Sequence, residues 1–124
     1  MLTGERLLII EDEFLIALDI QRVIEQAGAK QTVFAHNFEE AAALTARFGE
    51  FDLAIISPPR PLSGDQAIAD QLNAAGPAVV VCAGSPADLA GTSFEHAEAV
   101  EKPFADDELL EACRRALARR RAAR

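Results

Sequence analysis

Residues 6–28 read RLLIIEDEFLIALDIQRVIEQAG, and the change of rhythm inside this stretch decides the fold. Arg6–Glu11 is an unbroken apolar run closed by an acid, the pattern of a strand buried on both faces. From Glu13 to Ala27 the apolar residues Phe14, Leu15, Leu18, Ile20, Val23 and Ile24 recur at helical spacing. Gly28 then stands where a residue tolerant of positive φ ends a helix. A buried strand running straight into an amphipathic helix is the opening half of a βαβ unit.

The same alternation repeats down the chain. Thr32–Ala35 is a short second strand. Asn37, with Glu40 three residues on, opens a helix through Phe48 in the manner of a capping box, and Gly49 stops it. Phe51–Ile56 (FDLAII) is a third apolar run, leading into the rigid turn SPPRPLSG. A third helix covers about Asp65–Ala74 and ends at Gly76-Pro77. Ala78–Ala83 (AVVVCA) is rich in β-branched residues and reads as the fourth strand. Ser85, Pro86 and Asp88 supply an N-cap, an N1 proline and an N3 acid for a fourth helix, which Gly91 keeps short. Ala97–Glu101 is the fifth strand. Asp106 to about Arg121 is a final amphipathic helix, with Leu109, Leu110, Cys113 and Leu117 inward and acids in its first turn. Five such units predict an α/β fold, a parallel sheet with helices on both faces.

At 124 residues, half of them apolar, the chain is read as one domain, 1–124, with its core over about 5–120 and no output domain. No apolar run is long enough to span a bilayer. The N-terminus lacks the order of a signal peptide, so a cytoplasmic protein is expected. Cys82 and Cys113 show no metal spacing and are expected as reduced thiols. His36 and His96 stand alone, which disfavours a transition-metal site. The net charge of −8 is uneven: every acid lies at or before Glu111, while six of the twelve basic residues fall after it. An acidic body repels nucleic acid and favours protein or cation partners. The basic tail is read as a complement to the last helix's dipole ahead of a nucleic-acid patch.

In an open parallel sheet, ligands gather at the carboxyl ends of the strands. Those ends carry Glu11-Asp12, Ser57, Cys82-Ala83-Gly84 and Lys102-Pro103-Phe104. Two acids, a hydroxyl, a thiol and a lysine are thus expected to converge from four segments.

With these motifs in order, LLIIEDE, FDLAII followed by PLSG, PAVVVCAG and EKPF, the chain resembles the receiver domain of two-component response regulators over essentially its whole length. The resemblance implies a flavodoxin-like (βα)5 three-layer sandwich with strand order 2-1-3-4-5. It places Glu11 and Asp12 where the family's acids hold Mg²⁺, and Ser57 where the phosphoacceptor aspartate belongs. Pro61 and Gly64 fit the family's loop and support that register. Cys82 stands for the switch Thr or Ser, Ala99 for the switch aromatic, Lys102 for the family's lysine, and the Lys102–Pro103 bond is implied to be cis.

The two acids and the lysine are therefore kept, while the acceptor, the hydroxyl switch and the aromatic are lost. A carboxylate is ionised at neutral pH and attacks phosphorus directly, whereas a serine needs a base. A thiol is a weak donor to a phosphoryl group. Mg²⁺ binding through Glu11 and Asp12, with the Pro59 carbonyl, is expected to be weak if it occurs, and no other cofactor is expected.

The reading is a pseudo-receiver, not an enzyme, acting independently of phosphorylation by binding protein partners such as a sensor kinase or another receiver. Neither nucleic acid nor membrane is expected as a partner. The resemblance points to the face of the fourth helix, fifth strand and final helix, with Glu108, Glu111, Arg114 and Arg115, for docking or homodimer formation. The alternatives are an active receiver with an unusual acceptor and, further behind, a flavodoxin-like cofactor carrier lacking a phosphate-cradling glycine loop. Cys82 is read as inert, or as a redox sensor if Lys102 lowers its pKa. Glu11 and Asp12 are either solvated acids or a vestigial cation pocket in which Lys102 replaces the metal.

Overall fold

The apolar runs become the strands of one sheet. The computed structural model describes residues 2–58 and 66–123. Strands β1 (Arg6–Ile10), β2 (Gln31–Ala35), β3 (Leu53–Ile56), β4 (Ala78–Ala83) and β5 (Glu98–Glu101) lie parallel in the order β2-β1-β3-β4-β5. This is the flavodoxin-like arrangement. The helices are α1 (Phe14–Gln26), α2 (Phe38–Ala42), α3 (Gln66–Ala75) and α4 (Asp106–Ala122), with 3-10 turns at Thr45–Glu50 and Pro86–Leu89.

Side-chain alternation in the strands feeds two cores. Leu7, Ile9, Leu53 and Ile55 meet Ile20 and Ile24 of α1 and Leu109 and Leu117 of α4 on one face. Leu8, Ile10, Ala54 and Ile56 meet Phe48, Phe51 and the α3 residues Ile68 and Leu72 on the other. Both faces of β1 and β3 are covered, which explains why their sequences show no polar alternation. Each such burial stabilises by roughly 1.5–3 kcal/mol, so a charge at any of these positions breaks the fold.

Two sequence expectations need correction. The second helix does not reach Phe48. Asn37 caps it as expected, its Oδ1 accepting from the Glu40 amide at 2.8 Å, while Glu40 accepts from the His36 amide at 2.6 Å. The helix ends at Ala42, Leu44 leaves helical geometry at φ −104°, and Thr45–Glu50 continues as a 3-10 turn. In that winding residues three apart eclipse one another, which turns both Phe48 and Phe51 into the core, where each is at most 1 % exposed.

The fourth helix is shorter still, a single 3-10 turn over Pro86–Leu89 without a side-chain cap from Ser85. Gly91, at φ +77°, turns the chain before an α-helix can form, and Leu89 and Phe94 anchor the loop in the core.

The apolar residues of α1 do not all face the sheet. At 3.6 residues per turn, Phe14, Leu15 and Leu18 project roughly opposite to Ala17, Ile20 and Ile24. The latter three are buried, while Phe14, Leu15 and Leu18 are exposed.

The arginines of α4 serve the domain itself. Arg115 and Arg119 pair with Glu98, Arg121 with Glu5, and Arg120 with Asp52 and the Gly76 carbonyl. The basic tail is thus neutralised by acids of the body and does more than complement a helix dipole.

Candidate functional site: the carboxyl ends of the strands

The backbone ladder runs one residue past each strand and sets the level of the site. The Glu11 amide donates to the Ala35 carbonyl at 3.2 Å, the Ser57 amide to Ile10 at 2.8 Å, and the Lys102 amide to Ala83 at 2.8 Å. Four distant segments therefore deliver Glu11, Ser57, Cys82 and Lys102 to one edge of the sheet. The Lys102–Pro103 peptide bond beside them is cis.

Glu11 is the centre of the cluster. Its Oε1 accepts from Ser57 Oγ at 2.5 Å and from Lys102 Nζ at 2.9 Å, and its Oε2 accepts from the Glu13 amide at 3.1 Å. The Glu11 side chain is wholly buried, while that of Lys102 keeps 22 % of its surface in solvent. Burial, the largest single influence, pushes the Glu11 carboxyl up. The hydrogen bonds from Ser57, Lys102 and the Glu13 amide, with the Lys102 charge, outweigh it and hold the carboxyl below its ordinary value of 4.5. A buried carboxylate is tolerated when its lone pairs are filled in this way.

Asp12 separates from its neighbour. It is exposed and takes no hydrogen bond or ion pair among the described residues. It borders, with Ser57, Cys82 and Lys102, an open cavity of about 340 Å³. Pro59, Pro61 and Gly64, named for the metal and for the register, lie outside the described residues.

Cys82 is buried beneath this cavity. Desolvation pushes its thiol up to about 12, against a smaller lowering by Lys102 and a further rise from Glu11. The redox-sensor reading required the lysine to dominate, and burial dominates instead. Ala99 pairs with Val81 in the β4–β5 register and packs against the second core. Its methyl group has no ring to move between positions.

Mg²⁺ requires six oxygens in near-octahedral array, usually with more than one carboxylate. Here one carboxylate already holds an ammonium, a hydroxyl and an amide, and Ser57 contributes no charge. No cluster of three or more His, Cys, Asp or Glu side chains suited to a metal occurs among the described residues. Among the described residues this leaves Asp12, of the two expected ligand acids, as the carboxylate at the cavity without a partner, short of the oxygen set that Mg²⁺ requires.

Two features of the site had no clear sequence signal. The Glu13 amide that fills Oε2 depends on the turn into α1, which no residue type announces. The engagement of Glu11 by both Ser57 and Lys102 depends on rotamers, which the spacing of motifs does not encode.

No known family and no curated protein matches the chain by sequence. Solved structures match it in shape. A response regulator receiver protein from Sinorhizobium medicae is 18 % identical with a TM-score of 0.80, covering 97 % of this chain and 99 % of its own. The response regulator TrrA from Thermotoga maritima, solved with Mg²⁺ and beryllofluoride, is 23 % identical with a TM-score of 0.75, covering 90 % and 98 %. The anti-anti-sigma factor PhyR from Bartonella quintana is 26 % identical with a TM-score of 0.76, covering 98 % of this chain and 52 % of its own. No helix among the described residues is long and apolar enough to cross a membrane. By architecture and by these likenesses, the chain has a flavodoxin-like fold, the fold of the response-regulator receiver domains it resembles in shape.

Proposed function

We propose that this domain is a pseudo-receiver: a two-component signalling module that acts by binding a protein partner, without accepting phosphate and without turning over a reaction. One observation carries the reading. At the carboxyl end of β3, where a receiver presents its acceptor carboxylate, stands the neutral hydroxyl of Ser57, and that hydroxyl donates to Glu11. The lysine that would meet a phosphoryl group is turned onto the same carboxylate. Attack on phosphorus needs a charged or activated oxygen and a free cationic clamp; Ser57 is uncharged, and Lys102 is engaged by Glu11. A thiol at position 82 and a methyl group at 99 supply no response to phosphate.

A second reading has one observation in its favour. The 2.5 Å contact from Ser57 Oγ to Glu11 Oε1 has the geometry of a nucleophile and its general base. Lys102 weakens that base by stabilising the carboxylate form, which keeps the first reading ahead.

Incubation of the protein with acetyl phosphate and Mg²⁺, followed by intact-mass analysis, decides between them. The pseudo-receiver reading requires no phosphoryl adduct. An acid-stable, hydroxylamine-resistant adduct that disappears in Ser57→Ala establishes the second reading.

Partner chemistry belongs to the same proposal. The face of β5 and α4 remains a candidate for a kinase or a second receiver, by analogy with the fold. Its charges are largely satisfied within the chain: Glu111 pairs with Arg114 and Arg115, and Glu98 with Arg115 and Arg119. The described residues expose no large apolar side chain there.

A further inference from the structure

A cavity of about 700 Å³ opens at the amino end of the sheet, opposite the edge that carries Ser57. It lies between the last turns of α3 and α4 and the first residues of β4 and β5. Small residues leave the space: Gly76, Ala78, Ala97 and Ala116 line it where longer side chains would close it. One wall is apolar. Phe94 and Ala116 are buried, and Val79 and Ala97 pack against the core that Phe94 joins.

The polar side comes from the end of α4. Arg120 is committed to the fold: it donates to the Gly76 carbonyl at 2.9 Å, pairs with Asp52 at 3.3 Å and is largely covered. Arg119 is held far less. It lines the cavity, keeps 57 % of its side chain in solvent and touches Glu98 through Nη1 alone, at 3.2 Å. Glu98 divides its single charge between Arg119 and Arg115, the latter at 3.1 Å. A guanidinium presents five N–H donors in a planar fork. Among the described residues the Arg119 side chain makes no other hydrogen bond or ion pair. His96 also lines the cavity, with Glu95 beside it at 3.3 Å, so Arg119 is the cation in surplus.

An apolar wall facing a guanidinium with open donors suits a molecule with an apolar body and an anionic head. Charge narrows the class. One surplus cation next to Glu98 matches one negative charge, whereas a dianionic phosphate monoester would meet the Glu98 carboxylate at close range. A cationic ligand is repelled by Arg119 and Arg120, and an uncharged one leaves the fork unused. We propose that this cavity binds a small apolar monocarboxylate, its body against Phe94, Val79 and Ala97 and its carboxylate on Arg119. The site shares no residue with the cavity beside Ser57, so the proposal stands whether or not Ser57 takes phosphate.

The test is a titration of the full chain with phenylpropanoate and with octanoate, followed by amide-resolved NMR. The alcohol and the amine that correspond to phenylpropanoate are the controls. At least one carboxylate is expected to bind with a Kd of about 1 mM, the range open to so few heavy atoms. The shift changes should centre on residues 76–79, 93–98 and 116–123. The alcohol and the amine should each bind at least about tenfold more weakly. Arg119→Gln is expected to weaken the carboxylate about tenfold, and Glu98→Gln, which frees the fork, to tighten it at least about twofold. Neither carboxylate saturating by about 10 mM, equal binding by the alcohol, or changes centred elsewhere overturns the proposal. So does an affinity that Arg119→Gln leaves unchanged or that Glu98→Gln fails to raise.

Discussion

Replacing Lys102 by methionine removes the only cation in contact with Glu11 among the described residues while keeping most of the side chain's volume. At 2.9 Å and an effective dielectric near 20, the direct attraction is roughly 5–6 kcal/mol before solvation is counted. Stripping one partner from a buried pair costs about 3–5 kcal/mol. Because Lys102 keeps 22 % of its side chain in water, screening lowers the expected loss to about 2–3 kcal/mol. For a domain of this size that is a fall in Tm of about 10 °C.

The loss carries a pH signature. In the folded protein the Glu11 carboxyl is held below its ordinary 4.5. Its contribution is therefore full above that value and is lost as the pH falls through the lower folded value. In the variant burial dominates and favours the neutral acid, so protonation relieves it. The stability gap between wild type and Lys102→Met should be widest at pH 7 and narrow markedly by about pH 4.5. Urea unfolding at both pH values measures it. A gap under about 0.5 kcal/mol at pH 7, or one that does not change with pH, refutes the buried ion pair.

Three further outcomes are expected. Ser57→Asp sets a second carboxylate beside Glu11 with one ammonium between them; it should lower stability in EDTA by about 1–3 kcal/mol and make the melt respond to millimolar Mg²⁺, unlike wild type. Cys82 and Cys113, both buried with thiols pushed up to about 12, should resist iodoacetamide at pH 8 in the folded protein and react fully in urea, read by mass. Asn37→Ala removes the cap on α2 and should cost about 1 kcal/mol by urea unfolding, without altering reactivity at the thiols.

The middle of the sheet was legible because β1, β3 and β4 are nearly unbroken apolar runs, each ending at or beside a residue with chemistry. RLLIIE and AVVVCA have few conformations open to them once both faces must be buried, and the residues at their ends converge as the parallel arrangement requires. The second and fourth crossovers were less legible. Asn37 announced a helix start, but the stop at Ala42 comes from the need to turn Phe48 and Phe51 inward, a tertiary demand absent from local propensity. Ser85-Pro86 and Asp88 promised a helix that the turn at Gly91 reduces to one 3-10 winding. On α1 the apolar residues occupy both sides of the helix, and periodicity alone did not separate the buried ones from the exposed ones. At the site, position was readable and state was not. That Glu11 is buried and Asp12 exposed, one residue apart, follows from which side of the sheet's end each faces.

The central claim is that the end of β3 presents an uncharged group and that no phosphoryl signal is received there. Amide-resolved NMR of the wild-type domain, before and after addition of Mg²⁺ and acetyl phosphate, tests it most directly. The account predicts superimposable spectra around Glu11, Ser57, Cys82, Ala99 and Lys102. Saturable shifts spreading from Ser57 through β4 to Ala99 would contradict it.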